Sequence, residues 1–105
     1  MKKVYYVECD SDKARGMSLV MWLNEKAMAT FNQRVEAHAH MVERFRTLKW
    51  RAEEELKCLK AEGVTVTIDL YKFIVPNSFD IDVDNVWDAD YEHELIDSRY
   101  LCGRY

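Results

Sequence analysis

The sequence predicts an α+β domain, in which a small antiparallel sheet of two β-hairpins packs with one long amphipathic helix. Strand-like segments rich in β-branched and aromatic residues lie on both sides of the chain centre, at 3–9 and 64–75. Between them, residues 25–62 contain neither glycine nor proline and are rich in strong helix formers. A chain of 105 residues has the usual length of one domain, so we expect a single domain spanning 1–105.

The first hairpin is predicted from residues 3–9 and 17–23. Residues 3–9 carry valine, tyrosine and cysteine side chains that suit a half-buried strand. Residues 10–16 contain aspartate, serine and glycine, which favour a turn. Residues 17–23 form an apolar run of seven, whose length indicates a second strand. The alternative for this run is the beginning of the helix that follows.

One continuous helix is predicted from Glu25 to Glu62. Asn24 is a suitable N-cap, and Gly63 stands where a helix C-cap belongs. At 1.5 Å per residue this helix would be about 55 Å long. The alternatives are a helix that breaks near residue 40 and folds back, and a helix that simply crosses the sheet.

Apolar side chains recur along this predicted helix at alternating spacings of three and four residues, which is the heptad pattern of a coiled coil. The chain offers no second helix of comparable length, so we expect the helix to pair with another copy in a homodimer. The predicted dimer seam consists of Phe31, Val35, His38, Val42, Phe45, Ala52, Leu56 and Leu59.

The second hairpin is predicted from residues 64–75 and 79–84, which alternate apolar and polar side chains on either side of a turn at 76–78. These elements complete a β-β-α-β-β order. In the remaining tail, Asp88 or Asp90 is a suitable cap for a short C-terminal helix.

Charge and cysteine content argue against several classes of binding site. The net charge is −4 and the pI about 5.3, which argues against general binding to phosphates. Residues 1–62 carry a net charge of +2, whereas residues 63–105 carry −6. The three cysteines are widely spaced and form no C-x-x-C pair, so the sequence supports neither a structural zinc site nor thioredoxin-type redox chemistry. With no signal peptide and no apolar span, we expect a cytoplasmic protein without a membrane partner.

The acidic segment from Asp80 to Asp97 is the strongest functional feature. It holds eight acidic residues and no lysine or arginine, with aromatic residues interleaved. Such a surface attracts basic grooves, and aromatic side chains commonly anchor protein interfaces. The predicted partner-binding residues are Asp80, Asp82, Asp84, Trp87, Asp88, Asp90, Tyr91, Glu92 and Glu94.

A calcium loop is the competing interpretation of the same segment, but two of its positions do not fit. Asn85 stands where an EF-hand loop requires glycine, and Tyr91 stands where it requires a bidentate glutamate. We therefore expect no metal ion here.

Two further kinds of binding remain open from the residues. A dimer could enclose a small, nucleotide-like ligand against aromatic side chains, with Tyr5, Trp22, Trp50 and Tyr71 as candidates. The basic residues of the long helix could contact nucleic acid, although neighbouring glutamates weaken that interpretation; they are Arg44, Arg46, Lys49 and Arg51.

Catalytic motifs are absent from the sequence. Three isolated glycines cannot form a phosphate-binding loop, and no hydrolase, metalloprotease or kinase signature occurs. We expect a non-catalytic inhibitor or adaptor that needs no cofactor and docks its acidic-aromatic surface onto a basic groove of a target protein. Small acidic accessory domains of this kind include viral inhibitors of host proteins.

Overall fold

The computed structural model of the protein describes residues 1–12 and 16–103. Within them the chain forms four strands and three helices: β1 (Lys2–Ser11), α1 (Ser18–Ala27), β2 (Ala29–Phe31), α2 (Arg34–Arg51), α3 (Glu53–Ala61), β3 (Val66–Val75) and β4 (His93–Cys102). The strands form one antiparallel sheet in the order β2-β1-β3-β4. The predicted α+β class with a small antiparallel sheet is therefore confirmed.

The two strands predicted most clearly form the centre of the sheet. β1 and β3 pair over ten residues, from Lys2 opposite Val75 to Ser11 opposite Val66. Their β-branched and aromatic side chains alternate between the two faces of the sheet, and both faces are covered. This double burial explains why both strands are rich in apolar residues on each side.

The predicted first hairpin is wrong, because residues 17–23 belong mainly to α1 rather than to a strand. Val20, Leu23 and Ala27 are spaced by three and four residues, so a helix places all three on one buried face. The strand that follows is short, and pairs Phe31 with Tyr5 of β1. Residues 13–15 of the predicted turn at 10–16 lie outside the described residues.

The predicted continuous helix at 25–62 is also wrong. The backbone turns extended at Met28, which ends α1, and Ala52 departs from helical geometry between α2 and α3. Asn24 lies inside α1 instead of capping a helix, and its side-chain Oδ1 accepts a hydrogen bond from the Cys9 amide of β1, 3.0 Å away. Each of the three separate helices buries one face. The predicted helix stop is confirmed, since Gly63 follows α3 with a φ of +77°.

The residues of the predicted dimer seam differ in burial and do not share one surface. Ala52, Leu56 and Leu59 are buried inside the chain, and Phe31 and Phe45 are half-buried against the same core. Val35 and His38 are exposed and Val42 is half-buried. The buried face of α2 and α3 instead consists of Ala37, Met41, Leu48, Ala52, Leu56 and Leu59. The heptad stripe therefore does not form one continuous surface, and a dimer through it stays a prediction.

The predicted last strand at 79–84 and the short C-terminal helix are both wrong. Residues 76–92 form an irregular connection with several tight turns, and β4 occupies the position assigned to the helix. The alternating aspartates stabilise turns: Asp84 Oδ2 accepts from the Asp80 amide at 2.8 Å, and Asp80 Oδ1 accepts from the Asp82 amide at 2.9 Å. Short polar side chains that bond to the local backbone favour turns over strands.

The sheet separates two hydrophobic clusters. The helices cover one face, where Val7, Ile68, Leu70, Leu23 and Met41 are among the fully buried side chains. The connection 76–92 covers part of the other face, over a smaller cluster of Val4, Tyr6, Phe73, Val75, Phe79 and Val86. The three cysteines form no disulfide, with Cys9 and Cys102 buried and Cys58 exposed. None of the helices formed by residues 1–12 and 16–103 is both long and apolar enough to cross a membrane.

Candidate functional site

The connection between β3 and β4, residues 76–92, contains most of the predicted partner-binding residues, and we name it the acidic loop. Two apolar side chains fix it to the sheet: Phe79 and Val86 are buried against Tyr6 and Phe73. Tyr91 is half-buried and meets the Phe79 ring edge to face at 5.9 Å. The loop is thus held by a hydrophobic cluster of its own, although it contains no helix or strand.

The acidic side chains of this loop point into solvent. Six of the predicted partner-binding residues are exposed acids of the loop: Asp80, Asp82, Asp84, Asp88, Asp90 and Glu92. None of the six forms an ion pair with any residue in 1–12 or 16–103. Within the described residues, these carboxylates therefore add local negative charge that no ion pair neutralises.

The remaining predicted acid lies outside the loop and is neutralised. Glu94 belongs to β4, and its carboxylate accepts from Lys72 Nζ at 2.6 Å. This ion pair lowers the pKa of Glu94 below its ordinary value, through the hydrogen bond first and the charge of Lys72 second. Glu94 is thus a weaker candidate for partner contact than the six loop acids.

Trp87 connects the acidic loop to the sheet. Its indole Nε1 donates to Glu8 Oε1 at 3.0 Å, and its ring packs edge-on against Phe73 at 5.0 Å and Tyr71 at 5.6 Å. The side chain nevertheless keeps 45% of its surface exposed. An aromatic ring that is both fixed in place and partly accessible has the properties of an interface anchor, since little conformational entropy is lost on contact.

A second group of carboxylates, which sequence reasoning missed, lies beside Trp87. Glu8, Asp10 and Asp69 place one carboxylate oxygen each within 4.8 Å of the others. The register of the sheet brings them together, because Glu8 is directly opposite Asp69 and Asp10 is two residues further along the same face. The alternation of Glu8 and Asp10 in β1 was a visible signal, but the pairing with Asp69 was not.

Burial shapes the acidity of this group. Asp69 is only 6% exposed, and burial raises its pKa, while hydrogen bonds from the hydroxyls of Ser98 and Thr67 oppose the shift. Burial likewise raises the pKa of Glu8, against the opposing hydrogen bond from Trp87. The nearby acids raise the Glu8 pKa further. These oxygens are of the kind that Mg²⁺ and Ca²⁺ prefer, but the Asp69 and Glu8 carboxylates already accept hydrogen bonds, so the cluster by itself does not define a metal site.

We expect Glu8→Gln to increase the free energy of unfolding at pH 8 by about 0.5–1 kcal/mol, because it removes one of two like charges placed directly opposite each other. The glutamine Oε1 retains the acceptor for Trp87.

The effect of this substitution should depend on pH. A carboxyl whose pKa is raised on folding binds its proton more tightly in the folded state, so ionised Glu8 lowers the free energy of unfolding increasingly as pH rises above the ordinary carboxyl range. The advantage of Glu8→Gln should therefore shrink as pH falls from 8 to 5. Urea denaturation at both pH values measures this, with the exposed Glu25→Gln as control. Lower stability of Glu8→Gln at pH 8 would contradict it.

The residues of the two other binding hypotheses are scattered. Tyr5 and Trp22 pack against the helix-side core, Trp50 is exposed on α2, and Tyr71 lies on the opposite face of the sheet. Tyr71 and Trp87 do border a cavity of about 430 Å³, whose other walls include Glu8 and Asp10. Of the basic residues on α2, Arg44 is paired with Glu43 at 3.4 Å. The structure therefore does not gather the four aromatic candidates at one site.

No protein-family model matches the chain, and neither a curated protein nor a solved structure matches it.

Proposed function

We propose that the protein is a non-catalytic inhibitor or adaptor whose acidic loop docks into a basic groove of a target protein. One observation carries this proposal: six exposed acids, which form no ion pair with residues 1–12 or 16–103, lie on a loop that two buried side chains fix to the sheet. A preformed loop loses little conformational entropy on binding, and uncompensated charge of one sign attracts a surface of the opposite sign.

Exposed apolar side chains on the same loop support docking to a protein rather than to a simple polycation. Trp87 is 45% exposed and Val83 is 79% exposed, and both stand among the acids. Interfaces commonly combine a few desolvated aromatic or apolar anchors with a charged rim. A basic groove of the kind that otherwise receives nucleic-acid phosphates would meet the acids, while Trp87 filled an apolar depression within it.

The alternative functions receive less support from the geometry. Nucleotide phosphates would be repelled at the cavity beside Tyr71 because Glu8 and Asp10 form part of its wall. Nucleic acid binding through α2 would have to tolerate Glu43, which is paired with the adjacent Arg44. The same acids that disfavour these ligands favour a basic protein.

Reversal of three loop charges tests the proposal. We choose Asp82, Asp88 and Asp90, each changed to lysine, because Asp80 and Asp84 also hold the turns of the loop through backbone hydrogen bonds. The tagged wild type serves as bait in a nuclease-treated lysate of its source, and mass spectrometry quantifies what is retained. We expect one stoichiometric protein whose captured amount falls tenfold or more with the triple variant, since about 1.4 kcal/mol corresponds to a factor of ten in affinity.

A matched variant separates the loop from net charge. Changing the exposed Glu25, Glu55 and Glu62 to lysine alters the net charge by the same amount, but on α1, on α3 and just beyond α3. This variant should retain the target, and heparin should release the target from the wild type by competing for its basic groove. Equal loss with both triple variants, or no retained protein above background, would overturn the proposal. Circular dichroism confirms that both variants are folded.

A further inference from the structure

The outer edge of β4 differs from the other edge of the sheet. On the β2 side, the short edge strand pairs with only three residues of β1, and beyond it the Asn24 side chain of α1 accepts the Cys9 amide at 3.0 Å. β4 is ten residues long, it pairs only with β3 among the described strands, and most of its residues keep part of their surface accessible. A long accessible edge is a template for pairing with another strand.

The hydrogen-bond pattern of the sheet shows which groups of β4 face outward. The Cys9 amide points away from β3, so the neighbouring Glu8 directs its N–H and C=O toward Asp69. Asp69 therefore turns its backbone groups toward β1 and not toward Ser98, its partner in β4. It follows that the N–H and C=O of Ser98 point away from β3, toward the open edge of the sheet.

The side chain of Asp97 marks this outward group. Its Oδ1 accepts from the Ser98 amide at 2.9 Å, which agrees with an N–H that has no acceptor in β3. Asp97 Oδ2 also lies 3.7 Å from Arg99 Nε. Asp97 and Arg99 are opposite Leu70 and Ile68, so both lie on the helix-covered side of the sheet and flank Ser98 with opposite charges.

This arrangement of charges is self-complementary for an antiparallel partner. If β4 of a second copy pairs about a two-fold axis at Ser98, each Arg99 comes to lie opposite Asp97 of the other copy. Edge charges of a single sign would repel such a copy, whereas this pattern attracts it at two places related by the two-fold axis.

We propose that the protein forms a symmetric homodimer in which two β4 strands pair antiparallel about Ser98 and join the two sheets into one. The partner is a second copy of this chain, and the proposal is independent of what the acidic loop binds. Each Ser98 amide exchanges its bond with Asp97 for one to the Ser98 carbonyl of the other copy, and each Asp97 exchanges Arg99 of its own chain for that of its neighbour. Leu95, 52% exposed, and Tyr100, 38% exposed, lie beside the axis and add apolar contact.

Complementary charge variants provide a decisive test. Arg99→Asp leaves acids at both positions and Asp97→Arg leaves bases at both, so each variant alone should sediment at the 12.5 kDa of one chain. The wild type should approach twice this mass at high micromolar concentration. An equimolar mixture of the two variants should regain the double mass, because all four facing charges are then opposite. An effect on folding within one chain cannot be restored by mixing.

A backbone variant tests the strand pairing itself. Ser98→Pro removes an amide that makes no bond to β3 and should abolish the dimer, whereas Ser98→Ala keeps the amide, loses only the hydroxyl bond to Asp69 and should remain dimeric. Circular dichroism monitors the fold of each variant. A wild type that stays at one chain mass up to millimolar concentration, or charge variants that stay monomeric when mixed, would overturn the proposal.

Discussion

Replacement of Phe73 by alanine is expected to lower the free energy of unfolding by about 3–5 kcal/mol, the cost of removing a large aromatic ring from a packed core. Phe73 is 1% exposed and lies under the acidic loop, where its ring contacts Trp87 at 5.0 Å and stacks on His93 at 4.9 Å. The rings of Tyr6, Tyr71 and Trp87 also contact Phe73 and would lose this packing. We expect the acidic loop to lose its attachment before the helices unfold.

Chemical denaturation measures this loss, with far-ultraviolet circular dichroism for the helices and hydrogen exchange of residues 79–92 for the loop. Trp50→Ala is the control, because it removes an aromatic ring that is 76% exposed on α2 and should change stability by no more than about 0.5 kcal/mol. A loss below about 1 kcal/mol in Phe73→Ala would mean that the loop is not held by this cluster.

Leu56→Ala is expected to cost about 2–5 kcal/mol, whereas Val35→Ala should change stability by less than about 0.5 kcal/mol. The heptad pattern places both residues on one stripe, but α3 buries Leu56 against the sheet and α2 leaves Val35 81% exposed. The two substitutions therefore separate burial within the chain from burial between chains.

Thermal unfolding at several protein concentrations distinguishes these cases. If Leu56 is buried within one chain, its substitution lowers the Tm by the same amount at every concentration. If both residues lay in a coiled-coil seam, Val35→Ala would also destabilise the protein, and both effects would depend on concentration. The second pattern would contradict the packing described here.

The two central strands could be predicted because their signal is local. β1 and β3 need only alternating β-branched and aromatic residues, and both were predicted within two residues of each of their ends. The end of the helical region at Gly63 could also be predicted, since a helix end with positive φ strongly favours glycine. In each case the short-range pattern and the tertiary packing require the same residue types.

The helical region could not be divided correctly because its breaks carry no local signal. Ala52 separates α2 from α3, although alanine is the best helix former. Residues Ala29–Phe31 form a strand by pairing with β1, where Phe31 lies opposite Tyr5. Tertiary contacts override propensity at both places, and the heptad stripe predicts neither.

The candidate site shows the same division. The exposed acids of the loop could be predicted because a run without lysine or arginine is visible in the sequence. The position of Glu8 opposite Asp69 could not be predicted, because it depends on the register between two strands that are about 60 residues apart along the chain. The anchoring of the loop by Phe79 and Val86 was hidden as well, since alternation at 79–84 predicts a strand.

The strand order β2-β1-β3-β4 also constrains how the chain acquires its structure. β1 lies between its two neighbours, but its long partner β3 is synthesised about 60 residues later. At roughly 5–20 residues per second, a ribosome would expose β1 for several seconds before β3 emerged. During that interval, α1, β2 and α2 are the elements that precede β3, contact β1 and can shield it. We therefore expect slow folding limited by the β1–β3 pairing, as in other topologies dominated by distant contacts.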